Sequence, residues 1–233
     1  MIEVITTSDG TKFAGYSQDY LFQIIKNGDN FPDKYVKDVI DKYVTKDSIC
    51  IDVGANLGYI SVYLAKKCKY LYSFEPQKNV YFQLCANLFL NECYNVTTYN
   101  KAVYSYNKNF DFASFQSGWV GTKEITNVDK VTSFGAISLT PSETGKIKAV
   151  TLDETFSEKI DFIKIDAQGA DIDVIFGADN LISRDKPVIV FEYEEDLSLM
   201  NYNRTLSDLN YFLKRHSYKM IEIHHHNYLL IHE

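Results

Sequence analysis

The hydrophobic and polar positions of this chain switch between short, continuous apolar runs and longer segments with helical spacing. In residues 33–44, Val36, Val39, Ile40 and Tyr43 fall on one face of a helix. Apolar runs predict buried strands at Ile49–Val53 and in the segments "YLYSFEP", "VTTYNKAV", "DFIKID" and "PVIVFEY". Helical spacing predicts further helices at Tyr59–Lys67, Asn79–Leu90, "LDETFSE", Asp171–Phe176 and Leu206–Arg215.

Strands that are apolar on both faces and alternate with helices are typical of a parallel sheet that helices cover on each side. The last two strands, "YKMIEI" and "NYLLIH", are joined by only "HHHN". That connection is too short for a crossover, so this pair should be antiparallel. We therefore predict one α/β domain over residues 1–233, with a doubly wound, mostly parallel sheet and an antiparallel terminal hairpin.

Two segments fall outside this alternation. Residues 1–48 are predicted to be a helical lead-in, of which the helix at 33–44 is the clearest part. Residues 104–148 form a long connection without a strong helix, and their strand-like stretches predict a small β-rich extension beside the sheet. The extension is either a surface embellishment or homodimer contact, or a cap that selects the substrate; both readings stay open here.

Composition narrows the classes of function. The 24 Lys and Arg residues against 31 Asp and Glu give a net charge of −7, which argues against a broad nucleic-acid-binding surface. No run of about 18 apolar residues occurs, and residues 1–10 lack the pattern of a signal peptide, so we expect no membrane segment. The four cysteines have no CxxC spacing. We interpret them as buried thiols in a reducing compartment and expect a cytoplasmic protein.

The strongest functional motif is "CIDVGANLGYIS", in which a strand leads through Asp52 and a glycine turn into a helix. Ligands of doubly wound sheets bind at the carboxyl ends of strands, where glycines such as Gly54 and Gly58 admit them close to the backbone. Neither the dinucleotide pattern G-x-G-x-x-G nor a phosphate-binding Gly-Lys-Ser/Thr is present. The turn instead suits S-adenosylmethionine, whose ammonium Asp52 could hold directly or through water. The alternative is a strand–turn–helix with a capping glycine and no ligand.

A carboxylate at the end of the next strand favours the ligand. Glu75, in "YSFEP", follows the glycine turn at about the 20-residue distance expected for an acid that accepts hydrogen bonds from a ribose. Pro76 should end that strand.

Taken together, "IDVGANLGYIS", "FEP", "NKAV", "VTLDE", "DFIKIDAQGAD" and "NYLLI" resemble the FkbM-type methyltransferases over most of the chain, from about residue 50 to 231. The resemblance implies a Rossmann-like class I methyltransferase fold with a seven-stranded sheet, and O-methylation of a hydroxyl on a sugar or natural product. It also implies that the segments "IDVGANLGYIS", "FEP" and "NKAV" hold the cofactor. These predicted cofactor-binding residues are Asp52, Gly54, Ala55, Asn56, Gly58, Glu75, Pro76, Ala102 and Val103. Gln168 and Asp171 depart from the family, which usually carries Glu at the first position and often at the second.

Two acids are candidates for catalysis. Asp166 ends the strand "DFIKID" and should face the transferred methyl group, either as a general base or as a ligand of a divalent cation. Glu192 ends "VIVFE" on a neighbouring strand and is the candidate second oxygen ligand; Mg²⁺ or Mn²⁺ would suit such oxygens. The plain alternative is that Asp166 caps the following helix.

The leading interpretation is therefore an S-adenosylmethionine-dependent O-methyltransferase that acts on a hydroxyl of a glycan or small metabolite. Two alternatives remain: a nucleic-acid methyltransferase, which a salt-sensitive gel shift would favour, and a non-catalytic cofactor-binding protein of the same fold. Cofactor binding without transfer to any acceptor would favour the latter.

Overall fold

The structure is a computed structural model that describes residues 1–28, 32–112 and 133–233. The strands are β1 (Ile2–Thr6), β2 (Lys12–Tyr16), β3 (Ile49–Val53), β4 (Tyr70–Phe74), β5 (Val96–Tyr99), β6 (Ala102–Val103), β7 (Asn109–Phe112), β8 (Leu139–Pro141), β9 (Ile147–Val150), β10 (Phe162–Ile165), β11 (Val188–Glu192), β12 (Tyr218–His224) and β13 (Asn227–His232). The helices are α1 (Tyr20–Lys26), α2 (Lys34–Tyr43), α3 (Tyr59–Ala65), α4 (Lys78–Leu90), α5 (Leu152–Thr155), α6 (Asp171–Phe176), α7 (Asp179–Asp185), α8 (Glu195–Tyr202) and α9 (Leu206–His216).

The central sheet has seven strands in the order β12–β13–β11–β10–β3–β4–β5. The strands from β11 to β5 pair in parallel, whereas β13 is antiparallel to both of its neighbours. The predicted seven-stranded, mostly parallel sheet is thus confirmed. Alternate strand residues enter two cores, because successive side chains of a strand point to opposite faces. Helices α1 to α4 pack on one face, and α5, α6, α7 and α9 pack on the other.

Two expectations about local structure were wrong. The predicted helical lead-in begins with an antiparallel hairpin of β1 and β2, because the residues between them turn through Gly10 at φ +85°. The segment "VTTYNKAV" is two strands, since the Asn100 side chain donates to the backbone oxygens of Glu75 and Pro76 and turns the chain between β5 and β6. Helices α7 and α8 were not predicted at all.

The four-stranded sheet β6–β9–β7–β8 stands beside the central sheet. Its strands β7 and β8 and the first half of β9 fall in the segment 104–148, where strand-like stretches were predicted. The predicted strand "VGTKEI" and Trp119 lie outside the described residues.

The N-terminal hairpin is attached to α4 through side-chain amides. Asn87 accepts from the Ala14 N–H and donates to the Ala14 carbonyl oxygen, and Asn91 does the same for Lys12. Gln83, one turn earlier, accepts from the Tyr16 N–H. Side chains spaced four residues apart on α4 therefore bond to backbone groups spaced two residues apart on β2. Asn87 also donates to the Leu57 carbonyl oxygen, which ties the hairpin to the glycine turn.

In the described part of the chain, no helix has the length and apolar character needed to cross a bilayer. Cys50, Cys68 and Cys93 are buried thiols, as expected, whereas Cys85 is only half-buried.

Candidate active site

Two clefts open at the carboxyl ends of the central strands. The first cleft is lined, among other residues, by Gly54, Asn56, Glu75, Pro76, Gln77, Ala102, Val103, Phe110, Gly135, Ile137, Leu139, Asp166, Gln168 and Tyr202. The second cleft, of about 550 Å³, is lined among others by Tyr20, Asp33, Tyr35, Gly54, Asn56, Tyr59, Gly135, Lys164, Asp166, Gln168, Glu192, Glu194 and Asn227. Of the described residues, five belong to both linings: Gly54, Asn56, Gly135, Asp166 and Gln168. The clefts therefore meet at the end of β3 and β10.

The glycine turn is shaped so that backbone lies at the cleft surface. Gly54 has φ +74°, and a Cβ there would lie 1.8 Å from the Asp166 carbonyl oxygen, so only glycine fits. Asn56 adopts φ +51°, and its Oδ1 accepts from the next N–H, that of Leu57. Gly58, at φ +93°, caps the start of α3. Ala55 is buried and lines neither cleft.

Glu75 lies buried at the end of β4 with its carboxylate held by backbone. One oxygen accepts from the Asn56 N–H at 2.9 Å and the other from the Gln77 N–H at 2.7 Å. Burial raises the pKa of Glu75 to about 7, and the two N–H bonds oppose that rise. The sequence distance from the glycine turn thus reflects a direct contact between the two motifs. Ala102 and Val103, also buried, form part of the wall of the same cleft.

Asp52 is fully enclosed and lines neither cleft. Its Oδ2 accepts from the Ser61 hydroxyl at 2.6 Å. Its Oδ1 lies 3.7 Å from the Lys164 Nζ and has no hydrogen-bond partner in the part of the chain that the structure describes. Burial raises the pKa of Asp52, and the Lys164 ammonium opposes this. Direct contact of Asp52 with a ligand's ammonium does not fit this geometry, because the carboxylate is enclosed and Lys164, from the adjacent β10, lies beside it. Contact through water, the other expected route, stays a prediction.

The catalytic candidates Asp166 and Glu192 are brought together by Gln168. The Gln168 Nε2 donates to the Asp166 Oδ1 at 2.8 Å and to the Glu192 Oε2 at 3.4 Å. The other oxygen of Asp166 lies 3.4 Å from the Lys164 Nζ. Gln168 adopts φ +50°, a left-handed conformation that costs free energy and that its neighbours must hold in place. Asp166 thus lies at the junction of the clefts, and its carboxylate does not cap α6.

Charges around this junction are strongly coupled. Burial and the adjacent Asp166 raise the pKa of Glu192, which keeps this carboxyl protonated around neutral pH. Burial lowers the pKa of Lys164, but the neighbouring Asp166, Asp52 and Asp33 outweigh that effect, so the pKa is raised and the amine stays charged. Asp171 accepts from the Ala167 and Gly169 N–H groups and so stabilises the turn that carries Gln168. Burial, followed by Asp166, raises the pKa of Asp171 to about 7.

The comparisons with known proteins agree with this geometry. A family model described as the methyltransferase FkbM domain matches residues 52–229, which is most of the chain. The chain belongs to the FkbM methyltransferase family. Among curated proteins, none matches the chain.

Solved structures share the fold of this FkbM domain. The FkbM methyltransferase from Methylobacillus flagellatus KT aligns with a TM-score of 0.50 and 18% identity over 81% of this chain and 44% of its own, so this chain spans less than half of that protein. An rRNA methylase from Streptococcus thermophilus aligns with a TM-score of 0.50 and 12% identity, over 86% of this chain and 94% of its own. A protein from Streptococcus mutans in complex with SAH aligns with a TM-score of 0.50 and 12% identity, over 86% of this chain and 96% of its own. At these identities the likeness establishes the Rossmann-like class I methyltransferase fold.

The FkbM match begins at Asp52, and several cleft residues precede it. The Tyr35 hydroxyl donates to the Asp33 Oδ1 at 2.8 Å, and the Tyr35 ring stacks on the His224 ring with centroids 4.4 Å apart. Burial, followed by Asp33, raises the pKa of Tyr35. Sequence reasoning missed Asp33 and Tyr35, as well as Gln77, Gly135 and Tyr202. The only signal for Asp33 was its place directly before an amphipathic helix.

The donor set at the junction does not fit the predicted Mg²⁺ or Mn²⁺. Both oxygens of Asp166 face nitrogen donors, the Lys164 ammonium and the Gln168 amide, where a cation would need acceptors. Across residues 1–28, 32–112 and 133–233, no group of three or more His, Cys, Asp or Glu side chains is arranged to hold a metal ion. Asp166 and Glu192 do lie together, but as a pair bridged by an amide.

Proposed function

We propose that this protein is an S-adenosylmethionine-dependent O-methyltransferase whose acceptor is a hydroxyl of a glycan or small metabolite. The observation that carries the proposal is the junction of the two clefts at Asp166. A cofactor in the first cleft and an acceptor in the second would meet beside this carboxylate. The predicted homodimer stays a prediction.

The residues that line the first cleft fit the proposed cofactor in their chemistry. Gly54 leaves the backbone accessible, the Glu75 carboxylate can accept from ribose hydroxyls, and Ala102, Val103 and Phe110 offer apolar surface to an adenine. S-adenosylmethionine, when bound, supplies an activated methyl group. Its sulfonium is cationic, which suits the acids at the junction. Asp52, which is enclosed, would act on the cofactor through water or through Lys164 and the glycine turn.

The chain's own residues supply positioning and proton transfer. Asp166 accepts the hydroxyl proton of the acceptor as a general base, which is worth about 10²- to 10⁴-fold in rate. Gln168 and Lys164 hold its two oxygens in a fixed orientation. Glu192, whose pKa is raised by burial and by the adjacent Asp166, lies beside the base and can help to orient the acceptor by hydrogen bonding. No step requires a metal ion.

The second cleft suits a hydroxylated acceptor without phosphate groups. Tyr20, Tyr35 and Tyr59 provide ring faces and hydroxyls, of the kind that hold sugars. Asp33, Glu192 and Glu194 add carboxyl groups, whereas Lys164 is already paired with Asp52 and Asp166. This balance disfavours a nucleic-acid acceptor, which requires unpaired Lys and Arg.

A methyl-transfer assay tests the proposal. Purified protein is incubated with cofactor carrying a labelled methyl group and with fractionated extracts of the source, and mass spectrometry locates the new methyl on the product. Asp166→Asn should lower turnover by at least about 100-fold while leaving the affinity for S-adenosylhomocysteine within about twofold. Asp38→Asn, on the exposed side of α2, is the matched control and should behave as wild type.

Each alternative has its own result. Undiminished turnover by Asp166→Asn would refute the role of Asp166 as the base. A methylated nitrogen in the product would refute O-methylation, and cofactor binding with no transfer to any fraction would favour the non-catalytic alternative. Turnover that a chelator abolishes would reinstate the metal.

A further inference from the structure

Residues 133–139, here called the strap, cross the junction of the two clefts. Ser133 and Ala136 line the second cleft, Ile137 and Leu139 line the first, and Gly135 lines both. A Cβ on Gly135 would lie 2.6 Å from the Asn56 Nδ2, so the strap packs directly onto the glycine turn. The Ser138 hydroxyl donates to the Gln168 carbonyl oxygen at 2.9 Å.

The strap is attached to the N-terminal segment through one buried carboxylate. Asp19 is 2% exposed, and its two oxygens serve two different elements. The Oδ1 accepts from the Phe22 N–H at 2.9 Å and so caps α1, whereas the Oδ2 accepts from the Phe134 N–H at 3.0 Å. The Phe134 ring, 1% exposed, stacks on Tyr16 of β2 with centroids 5.0 Å apart.

The other side of Phe134 is attached to the first cleft. Its carbonyl oxygen accepts from the Gln77 Nε2 at 2.7 Å, and the Gln77 N–H donates to the Glu75 carboxylate. A continuous series of hydrogen bonds therefore runs from Asp19 through Phe134 and Gln77 to Glu75. Capping α1 requires only one oxygen and no burial, so the second bond and the enclosure of this acid point to a role at the strap.

We propose that Asp19 is a positioning residue for cofactor binding, which sets the place of the strap over the first cleft. Asp19 touches no ligand and acts through Phe134, Gly135 and Gln77. The inference rests on the proposed function, because it takes the first cleft to hold S-adenosylmethionine. It gives the N-terminal hairpin and α1, which precede the family match, a part in forming the site.

Asp19→Asn tests the inference, with Asn91→Ala as the control. The asparagine amide keeps the shape of the side chain, but its NH₂ group must face either the Phe22 N–H or the Phe134 N–H, and it cannot accept from either. One of the two hydrogen bonds to the carboxylate is therefore lost. We expect the dissociation constant for S-adenosylhomocysteine, measured by calorimetry, to rise about tenfold. The KM for the cofactor should rise with it, while kcat changes little. Asn91→Ala loosens the same hairpin at its far end and should leave the affinity within about twofold.

The outcomes are distinct. Equal losses of affinity in both variants would mean that only hairpin stability matters, and an unchanged affinity in Asp19→Asn would overturn the inference while leaving the proposed function standing. If the wild-type protein does not bind S-adenosylhomocysteine, the proposed function and the inference fail together. If Asp19→Asn does not fold, amide hydrogen exchange of the wild-type protein decides instead. Bound S-adenosylhomocysteine should slow exchange in residues 133–139, and unchanged exchange there would refute the inference.

Discussion

Replacing Lys164 by Met should be among the most destabilising single changes in this protein. Lys164 is 6% exposed, and its ammonium lies 3.7 Å from Asp52, which is 0% exposed. Without the ammonium, the Asp52 carboxylate keeps, among the described residues, only the hydrogen bond from Ser61. Breaking a buried ion pair by removing one partner costs about 3–5 kcal/mol, because the remaining charge is uncompensated. The second partner, Asp166, is 35% exposed, so water replaces most of that interaction.

The loss should depend on pH in a definite direction. Burial already raises the pKa of Asp52, and the loss of the cation raises it further. A carboxyl with a raised pKa binds its proton more tightly in the folded chain, so the stability of Lys164→Met should fall as pH rises above about 4. Lys164 itself does not interfere, because its own raised pKa matters only above about pH 10.5. We therefore expect a larger penalty at pH 8 than at pH 5.

Urea unfolding of a double-mutant cycle measures this effect. In thermal unfolding, Lys164→Met should lower the melting temperature by about 6–20 °C. In urea, adding Asp52→Asn to Lys164→Met should restore part of the lost free energy of unfolding, with a coupling energy of about 1–3 kcal/mol. Additivity of the two single variants to within about 0.5 kcal/mol, at both pH values, would refute the reasoning.

Two further predictions concern the first cleft. In Gly54→Ala, the residue would keep φ +74° and its Cβ would lie 1.8 Å from the Asp166 carbonyl oxygen. The substitution should lower the free energy of unfolding in urea by about 3 kcal/mol and abolish cofactor binding. Gly10→Ala is the control for backbone strain, because Gly10 has φ +85° and open space around it. Because the pKa of Glu75 is about 7 and a ribose hydroxyl donates to the ionised form, affinity for S-adenosylhomocysteine should rise about tenfold from pH 6 to 8. Glu75→Gln should remove that dependence, and a flat wild-type profile would contradict it.

The elements that sequence reasoning placed well are those whose signal is local. The strand Ile49–Val53 has the bounds observed for β3, because its apolar run and the following glycine turn both mark its ends. Gly54, Asn56 and Glu75 meet at one cleft because a parallel sheet brings the ends of neighbouring strands together. Asp166 and Glu192 follow from the same rule.

The features that were missed depend on distant contacts. Asp19 receives its role from Phe134, which is 115 residues away, and no periodicity near either residue signals that bond. The sequence suggested that Asp52 holds a ligand directly or through water, and it could not show the ion pair with Lys164. That pair depends on the register between β3 and β10, which forms only when the sheet is assembled. The break between β5 and β6 likewise depends on Asn100 reaching back to Glu75.

The amide groups of Gln83, Asn87 and Asn91 have a consequence for aggregation. A strand at the border of a sheet presents unpaired backbone groups to which another chain can add. On β2, the groups that face away from β1 are those of Lys12, Ala14 and Tyr16, and α4 occupies them with side chains. A helix thereby takes the place of a third strand, and this border of the hairpin is closed to strand exchange with a second molecule.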